Sequence, residues 1–244
     1  MERRYALFFS LAITLFIAFN YFWFFDKNNV ERERVIVGRA IDGDTLELED
    51  GRTIRLIGIN TPEKNERGYE EAKSFLVLLE NRSVEIEILG TEKYGRLLGE
   101  IYSPDSVNRE ILEKGFAHTL LVDDKHAKDF MEVQKRAHDN EVGIWKRSKW
   151  YGCLKVEVKE KEEYVEIEDS CNLDWKDWIL KDETTNKYVF KKDMPSSFRV
   201  YSGDGIDNEN KAYWKRGNAW NDDRDSVFIL DNDELIVYYS SYGY

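Results

Sequence analysis

The chain has no excess of basic residues, no internal repeat, no low-complexity tract and no clustered histidines. Each absence excludes something. With 36 Lys and Arg against 48 Asp and Glu, the net charge of −12 excludes a protein that coats nucleic acid by charge alone, which needs a basic surface. It leaves room for an enzyme that meets a phosphate through a metal ion and a few placed cations. His118, His126 and His138 have no metal-ligand spacing and no nucleophile beside them, so they are expected to be surface or structural residues. Cys153 and Cys171 have no histidine nearby in sequence, which argues against a catalytic thiol. They flank a hairpin-like run in which Val158 faces Val165 and Val156 faces Ile167. That register sets Cys153 opposite Ser170, one residue short of Cys171, a gap that a bulge would correct; with an even cysteine count in an exported region a disulfide is favoured and two free thiols stay open.

Apolar residues are plentiful, at 42% with 14% aromatic, and a packed core is expected rather than disorder. An uncharged run from Tyr5 to Phe25 follows "MERR". Its rise as a helix, roughly 31 Å, is enough to cross a bilayer core. Arg3 and Arg4 before it place the N-terminus in the cytoplasm, and Tyr21 and Trp23 suit the far interface. No small-x-small cleavage site follows. Residues 1–30 are therefore expected to form a signal anchor and spacer, a single transmembrane helix over 5–25 with everything beyond it outside the cell membrane (secreted if the segment is cleaved).

Residues 31–150 read as a mixed α+β domain. Strands are expected at "VIVGRAI", "TLELE" and "RTIRLIGIN", then a helix over 68–80 with Ala72, Phe75, Leu76 and Leu79 on one face. Strands at "SVEIEIL" and "YGRLLGEIY" come next. A short helix capped by Ser106 and stopped by Gly115 precedes a last helix over about 125–140. Five strands and three helices in this order fit a small closed barrel of the OB type, whose closure leaves no free sheet edge. Residues 151–244 read as all-β, with runs from "LKVEV" to "LIVYYS" at the spacing of a sandwich. Trp178 is expected in its core in preference to Trp175.

Three fragments carry chemistry. "AIDGDT" holds Asp42 and Asp44, "IRLIGINTPE" holds Arg55, Asn60, Thr61 and Glu63, and "EKYGR" holds Lys93, Tyr94 and Arg96. Arg55 sits among Ile54, Leu56, Ile57 and Ile59, where burial is costly without an anionic partner. On that stretch alone, a solvent-facing arginine is the simpler reading. Taken together, in this order and closed by "GIW" at Gly143–Trp145, the fragments resemble the thermonuclease (staphylococcal nuclease) family over residues 33–146.

The resemblance implies calcium-dependent hydrolysis of phosphodiester bonds in DNA or RNA, endonucleolytic and leaving 3′-phosphates. It implies Ca²⁺ held by Asp44, Asn60 and the backbone carbonyl of Thr61, with Asp42 in the outer shell. Arg55 and Arg96 would clamp the phosphate with planar forks, and Glu63 would orient or deprotonate the attacking water. Lys93 and Tyr94 would lie beside the nucleotide. These residue types suit the reaction, which must neutralise a phosphate, place a water and stabilise added charge on oxygen.

Two positions depart from the family pattern. Asn60 stands where most members carry aspartate, and Leu121 where a tyrosine is frequent. Residues 151–244 resemble the lamin-tail domain, an immunoglobulin-like sandwich, through "YGCLKV", "YVEIED", "DWILKD", "VYSGDGID" and "WNDDRDSVFILD". A cell-surface partner is the expectation for that domain. The competing expectation for the whole chain is a non-catalytic protein that binds nucleic acid or a surface on the same scaffold, with Asn60 marking a decayed metal site.

Overall fold

A computed structural model describes residues 13, 14, 16, 17, 31–93, 95–120 and 124–244. Ile13, Thr14, Phe16 and Ile17 are helical and belong to a separate unit, Met1–Glu33. The rest of the expected 5–25 span lies outside the described residues, as do Tyr94 and Leu121. Among the described residues no helix is long and apolar enough to cross a membrane.

The second unit, Arg34–Tyr244, starts with strands β1 (Glu33–Ala40), β2 (Thr45–Leu48), β3 (Thr53–Leu56) and the short β4 (Ile59–Asn60). Helix α1 (Tyr69–Val77), strands β5 (Ser83–Thr91) and β6 (Leu97–Tyr102), helix α2 (Val107–Glu113), strand β7 (His118–Thr119) and helix α3 (Asp124–Asp139) complete the first half. Five strands close a barrel in the order β1-β2-β3-β6-β5. Alternation turns Ile54 and Leu56 of β3 into its core beside Val37, Leu46, Ile86 and Ile101, all fully buried. Arg55 therefore faces the other way. Ser106 caps α2 as expected, its side chain accepting from the Arg109 N–H.

The expected single strand "RTIRLIGIN" is in fact two. Gly58 has φ 78°, a left-handed conformation that suits glycine, and the chain turns there out of the barrel wall. Beyond it, β4 pairs with β7, setting Asn60 opposite His118. Periodicity alone does not reveal this break, because Ile59 is as apolar as the strand before it.

The C-terminal half packs two four-stranded sheets. Its strands are β8 (Leu154–Lys159), β9 (Tyr164–Asp169), β10 (Ile179–Lys181), β11 (Lys187–Val189), β12 (Ser197–Tyr201), β13 (Lys211–Tyr213), β14 (Asp225–Leu230) and β15 (Ile236–Tyr242). The sheets run β11-β10-β14-β15 and β13-β12-β9-β8. The expected hairpin register holds, with Val156 facing Ile167 and Val158 facing Val165. A Cys153–Cys171 disulfide closes its end. Strand β13 went unread in the sequence; it is three residues long and pairs parallel with β12. Both tryptophans are core residues, and Trp175 rather than Trp178 is the deeper, packed against Phe190 and Phe198.

Barrel and sandwich share apolar surface. Ala137 and Trp145 from the barrel side pack with Phe228 and Ile236 from the sandwich. The Ile236 N–H donates to the Lys146 carbonyl at 3.0 Å, and the Ser148 N–H to the Ile236 carbonyl at 2.8 Å. The sandwich is thereby held against the barrel's flank.

Candidate active site

A cleft of about 500 Å³ opens beside the β1–β2 turn, lined by Asp42, Asp44, Arg55, Asn60, Glu63 and Arg96. Glu92, Leu120, Thr184 and Thr185 line it too. Between the two aspartates, a Cβ on Gly43 would come within 2.7 Å of both Thr61 Oγ1 and Ala72 Cβ, so the turn seats this close only with glycine. Asp42 Oδ1 accepts from the Asp44 N–H at 3.1 Å. Asp44 is buried. Its Oδ2 accepts from the Thr61 N–H at 3.1 Å and the Thr61 hydroxyl at 3.0 Å, and its Oδ1 from the Thr45 hydroxyl at 3.0 Å. Burial raises the Asp44 carboxyl above its ordinary range; Arg55 opposes the shift and Asp42 adds to it.

Arg55 points into the site. Its Nη1 donates to the Leu56 and Ile59 carbonyls at 2.7 and 3.0 Å. Its Nη2 donates to Asn60 Oδ1 at 3.2 Å and lies 3.2 Å from Asp44 Oδ2. The broken strand makes this possible, since the turn after Leu56 wraps its carbonyls around the guanidinium. Arg96 comes from the β5–β6 loop, its Nε and Nη2 donating to Glu92 at 2.8 and 3.0 Å. Glu63 is exposed at the cleft wall, and its N–H donates to the Glu66 carboxylate at 2.9 Å. Thr61 stands behind Asp44. Lys93 is exposed on the same β5–β6 loop as Arg96, next to the cleft-lining Glu92.

Part of the wall comes from the sandwich. The Glu183 carbonyl accepts from Asn60 Nδ2 at 3.3 Å and from His118 Nε2 at 2.8 Å. A carbonyl only accepts, so the His118 proton sits on Nε2. Burial, with the charges of Lys181 and Arg55, pushes the His118 pKa down to about 3 and keeps the ring neutral. Thr184 and Thr185 then continue into the cleft. Sequence reasoning missed Glu92, Glu183, Thr184 and Thr185. Only Glu92 left a local signal, four residues before Arg96.

The residues implied for calcium offer oxygen alone, the donor a hard divalent cation takes. Asp44 is also a buried carboxylate that Arg55 does not fully offset, and added positive charge there is favourable. The donor set fits. Among the described residues no three His, Cys, Asp or Glu side chains converge, so the set rests on two carboxylates with the neutral oxygens of Asn60 and Thr61.

Strand order and the seating of Arg55 over the aspartate turn define an OB-type barrel carrying a cleft lined by carboxylates and two arginines. Residues 53–147 match the family described as "Staphylococcal nuclease homologue". The chain is 32% identical over 116 residues to an "Uncharacterized endonuclease" of Escherichia coli, covering 45% of this chain and 74% of that protein. It is 32% identical over 134 residues to "Succinoglycan biosynthesis protein ExoI" of Rhizobium meliloti, covering 48% and 69%. With "Endonuclease YncB" of Bacillus subtilis it shares 28% over 152 residues, covering 53% and 72%. The chain belongs to the family of staphylococcal nuclease homologues.

Proposed function

We propose that the chain is a calcium-dependent nuclease that hydrolyses phosphodiester bonds of DNA or RNA outside the cytoplasm. The observation that carries this reading is Arg55, a nearly buried guanidinium braced by two carbonyls, Asn60 and Asp44 at the wall of a cleft. A cation fixed at the cleft wall has its charge in place before a phosphate arrives, which is how preorganised charge lowers a barrier. Arg96 exchanges its Glu92 partner for the phosphate when substrate arrives, since carboxylate and phosphate each offer two oxygens to its fork. Glu63, exposed in the same cleft, orients or deprotonates the attacking water. Water oxygen bonds to phosphorus, giving up a proton toward Glu63, and the bond to the 5′-oxygen breaks; that oxygen takes up a proton to become the 5′-hydroxyl and a 3′-phosphate is left.

Asp44, Asn60 and the Thr61 carbonyl would hold Ca²⁺, with Asp42 behind them. When bound, the ion supplies charge neutralisation for the phosphate oxygens. Lys93 and Tyr94 are proposed to flank the nucleotide. An outward location is supported by the Cys153–Cys171 disulfide, which belongs in an oxidising compartment, and by the uncharged run over 5–25 as a membrane anchor. Two packed four-stranded sheets are consistent with a lamin-tail-like domain that docks a cell-surface partner.

The deciding experiment is digestion of labelled DNA and RNA, first with calcium and then with chelator. Cleavage that chelator abolishes is expected. A protein inert at millimolar calcium would instead be a non-catalytic binder on this scaffold.

A further inference from the structure

The cleft is not built by the barrel alone, and the part the sandwich contributes is firmly tied. The turn after β10, Asp182–Asn186, is anchored to the barrel by the Glu183 carbonyl through Asn60 and His118. The Glu183 N–H donates to Asp225 Oδ1 at 3.2 Å. Asp182 Oδ1 accepts from the Thr184 N–H at 2.8 Å and the Thr184 hydroxyl at 2.6 Å, while Arg216 Nη1 donates to Asp182 Oδ2 at 2.6 Å. Thr184 and Thr185 line the same cleft as Arg55, Glu63 and Arg96.

Resting on the nuclease reading above, we infer that this turn is part of the substrate surface, with Thr185, seated by Thr184, lying against the phosphate backbone of the strand next to the scissile bond. Hydroxyls suit that position, because Ser and Thr contact phosphate oxygens in register-setting, sequence-blind ways. The turn is held in shape before any ligand arrives, so ordering it costs the complex little. A second observation points the same way. Asn60, which lines the cleft itself, is what the turn binds, through its amide N–H. A carboxylate there would set acceptor against acceptor at Glu183. The turn is thus joined to the cleft through a residue of the cleft itself.

Thr185 is exposed, so its variants are expected to fold. Thr185→Lys and Thr185→Glu in the full chain are compared with Ile206→Lys, a sandwich position that is 89% exposed and outside the cleft lining. Binding of a short fluorescein-labelled single strand is followed by anisotropy in chelator, so the readout does not need cleavage. Turnover is then measured with calcium. Thr185→Lys is expected to tighten binding and steepen the slope of log K against log salt by about 0.7, one added phosphate contact on a single strand. Thr185→Glu is expected to weaken binding and raise KM by about tenfold with kcat little changed, through like-charge repulsion. Thr185 variants that match Ile206→Lys in affinity, salt slope and KM would overturn the inference. A wild-type chain that binds but does not cut defeats the nuclease reading and leaves the binding comparison to decide. One that neither binds nor cuts defeats both.

Discussion

Arg55 shows how a single side chain can look misplaced in sequence and be fully accounted for in space. Its cost of burial is met by Asp44 and three oxygen acceptors, of which Ile59 and Asn60 come within reach because the chain turns at Gly58. Lysine in its place keeps the charge but loses the fork, and Arg55→Lys is expected to lower kcat at saturating calcium by at least about a hundredfold. Near-normal turnover in a variant that melts like wild type would remove Arg55 from the reaction. Asn60 gives a sharper test, since two readouts should move in opposite directions. Asn60→Asp forfeits the bond to the Glu183 carbonyl and is expected to cost about 1–3 kcal/mol of stability without calcium, read by thermal melting. The added charge should also lower the calcium concentration for half-maximal activity. Coincident calcium curves would mean that Asn60 does not touch the ion. Asp42, Asp44 and Arg55 were legible in sequence because the β1–β2 turn and strand β3 are close in the chain and carry them at recognisable spacing. Glu183 was not, because it acts through its main chain from far along the sequence.

Among the elements, the turn carrying Glu183 should depend on pH above neutrality. Its carboxylate accepts from the Tyr244 hydroxyl, yet burial pushes its pKa up to about 7, with Asp225 and Asp182 adding to the rise and Arg224 opposing it. A carboxyl raised on folding favours the native state while protonated, and that stability is lost as pH climbs through the folded value. His118, pushed down to about 3, behaves oppositely: its contribution is complete above the ordinary histidine value and fades as pH falls toward 3. Between pH 6.5 and 8 the Glu183 effect therefore dominates. Stability should drop by about 1 kcal/mol across that window, and Glu183→Gln should flatten the profile in thermal melts. The disulfide closing the β8–β9 hairpin spans a sequence separation of 18. Replacing both cysteines with serine is expected to cost about 3 kcal/mol by the loop-entropy account, lowering Tm by roughly 6–12 °C in calorimetry. That hairpin was readable to the residue from its alternating valines. Strand β13 was not, since three residues in parallel pairing leave too short a pattern to see.

At the scale of the molecule, the order of barrel elements could be read in sequence because each strand and helix carries its own periodicity. Docking of the sandwich could not, because it depends on Trp145, Phe228 and Ile236 meeting across more than one element. The proposed outward topology makes its own demand. A reporter enzyme active only beyond the cytoplasm, fused after Tyr244, should be active, and release of soluble protein lacking about the first 25 residues would point to cleavage instead. The contact between Asn60 and the Glu183 carbonyl is lopsided in what it demands. Every residue type presents a carbonyl, so this bond asks nothing of the side chain at position 183, while it demands a donor at position 60. A barrel with aspartate at that position, grafted under this sandwich, should give a poorly seated hybrid.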